Sequence, residues 1–107
     1  NQDAYVKVAG AVKLDEPAVD LGTALSIVSS YKDQPLRASD VFVGEVGLTG
    51  EVRRVSRVEQ RIHETEKLGF CRMILPKRNL SGLSFSGALQ LIGVDTIQDA
   101  IRVAFGE

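Results

Sequence analysis

Between positions 41 and 62 the chain reads VFVGEVGLTGEVRRVSRVEQRI, and its glycines at 44, 47 and 50 leave the backbone few ways to run. Two strand-like runs, 41–46 and 51–55, flank Gly-Leu-Thr-Gly, which predicts a tight hairpin. Glycine supplies the positive-φ conformations and the close backbone approach that such a turn needs. Ser56 and Glu59 stand at the spacing of a capping box, in which a hydroxyl and a carboxylate satisfy the free N–H groups of a first helical turn, so a helix is expected from about 57 to 68. Arg53, Arg54, Arg57 and Arg61 fall on the outgoing strand and this helix. One compact unit thus combines a fold signature with a positive patch.

A chain of 107 residues supports one domain, 1–107, with a single core. Its formal charge of −1 excludes a uniformly basic nucleic-acid binder, yet the average hides an asymmetry. Between Arg53 and Arg78 stand eight Lys/Arg against three Asp/Glu, whereas the first 51 residues hold four Lys/Arg and eight Asp/Glu. A basic face on an acidic body is the expectation. Cys71 is the single cysteine, so no internal disulfide forms, and no apolar run approaches the length of a membrane span. With no signal-peptide pattern at the start, a reducing cytoplasmic setting and no membrane partner are expected.

In chain order, 4–14 reads as a strand with Gly10 at a bend, and Pro17 suits a first helical turn. Leu21, Ala24, Leu25, Val28 and Tyr31 follow at helical spacing, predicting an amphipathic helix over about 17–32 that Asp33, Gln34 and Pro35 end. The helix after the hairpin should bury Val58, Ile62 and Leu68, with Gly69 as left-handed terminator. A short strand at 71–75, a Ser/Gly-rich connection with a helical turn at 84–88, and a buried strand at 89–94 come next. Asp95 is expected to cap a last helix that buries Ile97, Ala100, Ile101, Ala104 and Phe105, with Gly106 past its end. The order β, α, β, β, α, β, β, α indicates an α/β (α+β) domain, a two-layer sandwich of a mixed β-sheet with about three helices. Its first strand begins almost at residue 1, so the chain is expected to be cut from a longer one.

Few residues in the chain point to catalytic or metal chemistry. The glycine spacing at 44, 47 and 50 matches neither a dinucleotide fingerprint nor a phosphate-binding loop and reads as a turn. One histidine, His63, and one cysteine cannot assemble a metal cluster. A Cys71/His63 nucleophilic pair competes with a plainer reading, in which Cys71 packs as a small hydrophobe in an apolar strand and His63 sits on a helix surface. The cations at Arg53, Arg54, Arg57 and Arg61, extended by Lys77 and Arg78, have two readings. They can bind phosphates, or they can solvate one face and pair with Glu51, Glu59 and Glu64.

The runs LDEPAVDLG at 14–22, PLRASD at 35–40 and VGEVGLTGEV at 43–52 resemble the proteolytic domain of Lon proteases. Over essentially the whole chain the similarity is closer to the Lon-like C-terminal domain of bacterial RadA/Sms recombination proteins. That resemblance implies a longer parent with a RecA-like ATPase core and a zinc motif, so ATP, Mg and Zn are expected only outside this chain, which has no cofactor of its own. Lon cleaves peptides with a Ser-Lys dyad. Alignment places Ala18 at the nucleophile position and Arg61 at the lysine position. Alanine has no nucleophile and guanidinium stays protonated, so no enzymatic activity is expected of this chain.

The resemblance also implies a function. Such a domain would contribute DNA binding and hexamer architecture to a DNA-dependent ATPase that processes or branch-migrates recombination intermediates. Arg53, Arg54, Arg57, Arg61, Lys77 and Arg78 are the DNA-binding candidates, and single-stranded or branched DNA is the expected partner. Few aromatics lie nearby, so backbone contact fits better than base stacking. The alternative is a purely structural ring-building or partner-docking module, with a homo-hexamer or a RecA recombinase as partner.

Overall fold

The computed structural model describes residues 18–107. The strand expected over 4–14 and the first-turn role of Pro17 lie outside them. Nine elements follow: β1 Ala18–Asp20, α1 Leu21–Lys32, β2 Asp40–Phe42, β3 Glu45–Gly47, β4 Val52–Arg53, α2 Val58–Lys67, β5 Arg72–Pro76, β6 Gln90–Val94 and α3 Ile97–Phe105. The α/β class with three helices is as expected.

The strands divide between two three-stranded sheets, β1-β3-β4 and β2-β5-β6, rather than joining one mixed sheet. The first is antiparallel and the second parallel. Gly44 causes the division. The apolar run at 41–46 was expected to be one strand, but Gly44, at φ 140°, breaks it and sends β2 and β3 to different sheets. The hairpin itself forms as predicted, with Val46 opposite Val52, and Gly50 donates its N–H to the Gly47 carbonyl at 3.0 Å.

Both faces of the parallel sheet are covered. Ile74 joins a core cluster with Leu25 of α1 and Ile101 of α3, while its neighbours Met73 and Leu75 join a second cluster with Ile62 of α2. Burial on both sides explains why this strand reads as a continuous apolar run without alternation. The hairpin valines Val46 and Val52 belong to the first cluster. Helix α2 therefore sits alone among the helices on the second face and turns its polar sides to solvent.

Several local expectations are corrected. Helix α1 begins at Leu21 because 18–20 is a strand paired with β3, and Asp20 is its cap, accepting from the Thr23 N–H at 3.0 Å. Tyr31, expected on its buried face, is exposed beside the helix end, where Asp33 in left-handed conformation stops the helix. The Ser56/Glu59 box does not form. The chain leaving β4 turns through Arg57, which becomes the α2 cap at φ 55°, ψ 40° with no side-chain hydrogen bond. Leu68 is 75% exposed, since the helix has already ended and Gly69 turns away in left-handed conformation. The helical turn falls at Lys77–Leu80 as a 3-10 turn instead of at 84–88. Thr96 rather than Asp95 caps α3, in a complete box with Asp99. The predicted buried face of α3 is reproduced residue for residue.

Candidate nucleic-acid interface

Strand β4 ends at Arg53, and the next residues climb to α2 across the 3-10 turn that follows β5. Here the two sheets meet. Arg54 donates from Nη2 to the Arg78 carbonyl at 3.3 Å. Beside this contact the Asn79 Oδ1 accepts from the Val55 N–H at 2.9 Å, while its Nδ2 donates to the Val55 carbonyl at 2.9 Å. Lys77 is set by packing: a Cβ built on Gly93 of β6 would lie 2.9 Å from the Lys77 Cα, so only a glycine admits the turn this close.

Two open depressions adjoin the start of α2. One, of about 200 Å³, is lined by Arg54 and Arg78 together with Val58, Glu59, Asn79 and Ser81. The other, of about 190 Å³, is lined by Arg57, Gln60, Arg61 and Glu64. Arg61 is held there by donating from Nε to the Ser56 carbonyl at 3.0 Å. The fold thus brings Arg54 to Arg78 and Arg57 to Arg61. Lys77, exposed beside Arg78, lines neither depression.

Ion pairing separates the six cations. Arg53 bonds the Glu51 carboxylate at 3.1 Å, as the charge-pairing reading expects. Among the described residues, Arg54, Arg57, Arg61, Lys77 and Arg78 form no ion pair, although Glu59 and Glu64 line the same depressions. Gln60 takes up Glu64, donating to it at 3.2 Å.

Glu51 is occupied within the hairpin. The Thr49 hydroxyl donates to its Oε1 at 2.6 Å, and this bond, then its own backbone N–H and Arg53, lower its carboxyl from 4.5 to about 2. A carboxyl depressed by folding stabilises fully above its ordinary 4.5, and that contribution is lost as pH falls through about 2. An NMR titration of the Glu51 carboxyl carbon should show its midpoint near 2, and a midpoint near 4.5 would mean that the turn does not hold the carboxylate.

The remaining candidates do not assemble a reactive centre. Cys71 is exposed, not packed in the strand as expected, because β5 begins only at Arg72 and leaves Cys71 ahead of it. His63 is on the exposed surface of α2, as the plainer reading held, with its ring 6.1 Å from that of Phe85. Ala18 lies on β1 opposite Gly47, and Arg61 is on α2. Among the described residues no three His, Cys, Asp or Glu side chains group as metal ligands, and no helix is long and apolar enough to cross a membrane.

Sequence reasoning missed Asn79. Its neighbours Lys77 and Arg78 are legible from their charge, while the amide's partner stands 24 positions earlier and no local spacing reveals it.

Comparison with known proteins bears out the similarity to RadA. The chain is 57% identical over 99% of its length to the DNA repair protein RadA of Halalkalibacterium halodurans, and 58% identical over 99% to that of Bacillus subtilis. With the Streptococcus pneumoniae protein of the same name the identity is 56% over 98%. The chain spans only about a quarter of these relatives, 23%, 23% and 25% of their respective lengths. Residues 1–79 match the family described as subunit ChlI of Mg-chelatase, and with most of its length so matched the chain belongs to that family.

Proposed function

We propose that this chain is a non-proteolytic, Lon-like scaffold domain of a RadA-type DNA repair protein, and that it grips the backbone of single-stranded or branched DNA. The observation that carries the reading is the set of cations that form no ion pair among the described residues. Among the described residues no carboxylate pairs with Arg54, Arg57, Arg61, Lys77 or Arg78, and hydrogen bonds to backbone carbonyls hold Arg54 and Arg61 in place. Each phosphate that such a cation neutralises releases counterions, which drives binding without regard to sequence. Phosphate contacts position the duplex or strand but read no bases, consistent with an array poor in aromatic side chains. The names of the relatives support a repair role. Ala18 offers no attacking oxygen and Arg61 no base, which supports a scaffold over a protease. A cytoplasmic setting and a parent that couples DNA to ATP hydrolysis belong to the same reading.

A second reading, a ring-building module, draws on Leu48 at the hairpin tip, which is 70% exposed and would suit a subunit contact. The triple variant Arg54→Ala, Arg57→Ala, Arg61→Ala separates the two. Fluorescence anisotropy with a labelled single-stranded oligonucleotide should show clearly weakened binding, while light scattering shows an unchanged assembly. Unchanged binding would sink the DNA reading, and loss of an assembly with binding intact would favour the ring.

A further inference from the structure

We infer that Asn79, an uncharged residue, is a positioning residue for DNA binding, because it joins two cationic segments that arise from different sheets; the inference rests on the DNA reading above. Arg54 and Arg57 lie on the segment between β4 of the antiparallel sheet and α2. Lys77 and Arg78 lie on the turn after β5 of the parallel sheet. Among the described residues neither ladder reaches these two segments, since β4 pairs with β3 and β5 with β2 and β6, and the backbone bond from the Val52 N–H to the Asp95 carbonyl joins β4 to the end of β6 instead.

The tie is a side chain. The Asn79 amide accepts from the N–H and donates to the carbonyl of the same residue, Val55, at 2.9 Å each, reproducing the double bond pattern with which two strands pair. The Arg54 Nη2 bond to the Arg78 carbonyl, one residue away on each segment, closes the same junction. Asn79 itself lines the depression between Arg54 and Arg78. Contacts from two segments add to affinity only when both can be made at once, and fixing their spacing beforehand removes the ordering cost from the binding step.

The consequence is a change in affinity with no change in charge. Asn79→Ala leaves every cation in place, so an account based on electrostatics alone expects the oligonucleotide to bind as before. With the junction released, binding of a single-stranded oligonucleotide should weaken roughly three- to tenfold. The slope of log K against log salt should shrink by about 0.7 to 1.4, as one or both contacts from Lys77 and Arg78 drop out. Amide exchange at Val55 should rise. Thr96→Ala, which removes the hydroxyl cap of α3, should lower the melting temperature and leave affinity and slope unchanged, separating general destabilisation from loss of this junction. If Asn79→Ala does not accumulate folded, Asn79→Ser, keeping one hydrogen-bonding oxygen, should give a smaller change in the same direction. Wild-type affinity and slope in Asn79→Ala, beside lost binding in the triple arginine variant, would overturn the role of Asn79 alone. Unchanged binding in the triple variant would overturn the DNA reading and this inference with it.

Discussion

Asp40→Ala should destabilise the fold by about 3–5 kcal/mol. Asp40 opens β2 directly opposite Arg72, the first residue of β5, so the pair lies across the parallel ladder. The carboxylate side chain is wholly buried, and Arg72 grips it with Nε at 2.8 Å and Nη2 at 2.6 Å. This two-pronged contact raises the Arg72 pKa, first through the hydrogen bonds with Asp40, so the guanidinium stays charged. Removing the aspartate leaves a desolvated cation with only the Val103 carbonyl, 3.4 Å from Nη2, as a described acceptor. Breaking one side of a buried pair is costly, whereas replacing both sides with apolar groups of similar size is often nearly neutral. The double variant Asp40→Leu, Arg72→Met should therefore recover most of the loss. Urea unfolding of the single and double variants measures this directly, and a cost below about 0.5 kcal/mol for Asp40→Ala would place the pair among ordinary surface contacts.

Gly44→Ala is the second large effect. Gly44 stands where the chain crosses from one sheet to the other, and its carbonyl accepts the Leu21 N–H at 2.8 Å at the start of α1. At φ 140° its backbone conformation costs an L-residue roughly 1–3 kcal/mol. An added Cβ would also lie 2.9 Å from Val52 Cγ1 and 3.3 Å from Pro76 Cγ, and crowding of a packed core adds roughly another 1–3 kcal/mol. A folded Gly44→Ala protein with an unshifted urea midpoint would show that β2 and β3 are not separated as described. Gly69→Ala provides a contrast: it is also at positive φ, but a Cβ there meets nothing within 4 Å, so only the backbone cost applies.

What could be read from the sequence follows the range of the interactions concerned. The buried face of α3 and the Gly47–Gly50 hairpin turn depend on spacing within a few residues, and both appear as expected. Gly44 was legible as a special backbone position, but a run of apolar residues around it gave no sign that the chain changes sheets there. Ser56 and Glu59 have the right spacing for a cap. The tertiary path prevails, because Arg57 takes the left-handed turn and Asn79 supplies the partner for Val55. The Asp40–Arg72 pair spans 32 positions, beyond any local signal. At the candidate interface the arginines were evident from charge alone. Which of them pair was not: Glu51 bonds Arg53 two positions along the hairpin, whereas among the described residues Glu59 and Glu64 pair with none of the other cations there.

The salt dependence of single-stranded DNA binding tests the central claim most directly. If Arg54, Arg57 and Arg61 each neutralise a phosphate, replacing all three by alanine should reduce the slope of log K against log salt by about 2, at roughly 0.7 per contact. An undiminished slope would mean that these cations do not meet the backbone, and the assignment of this face to DNA would be wrong.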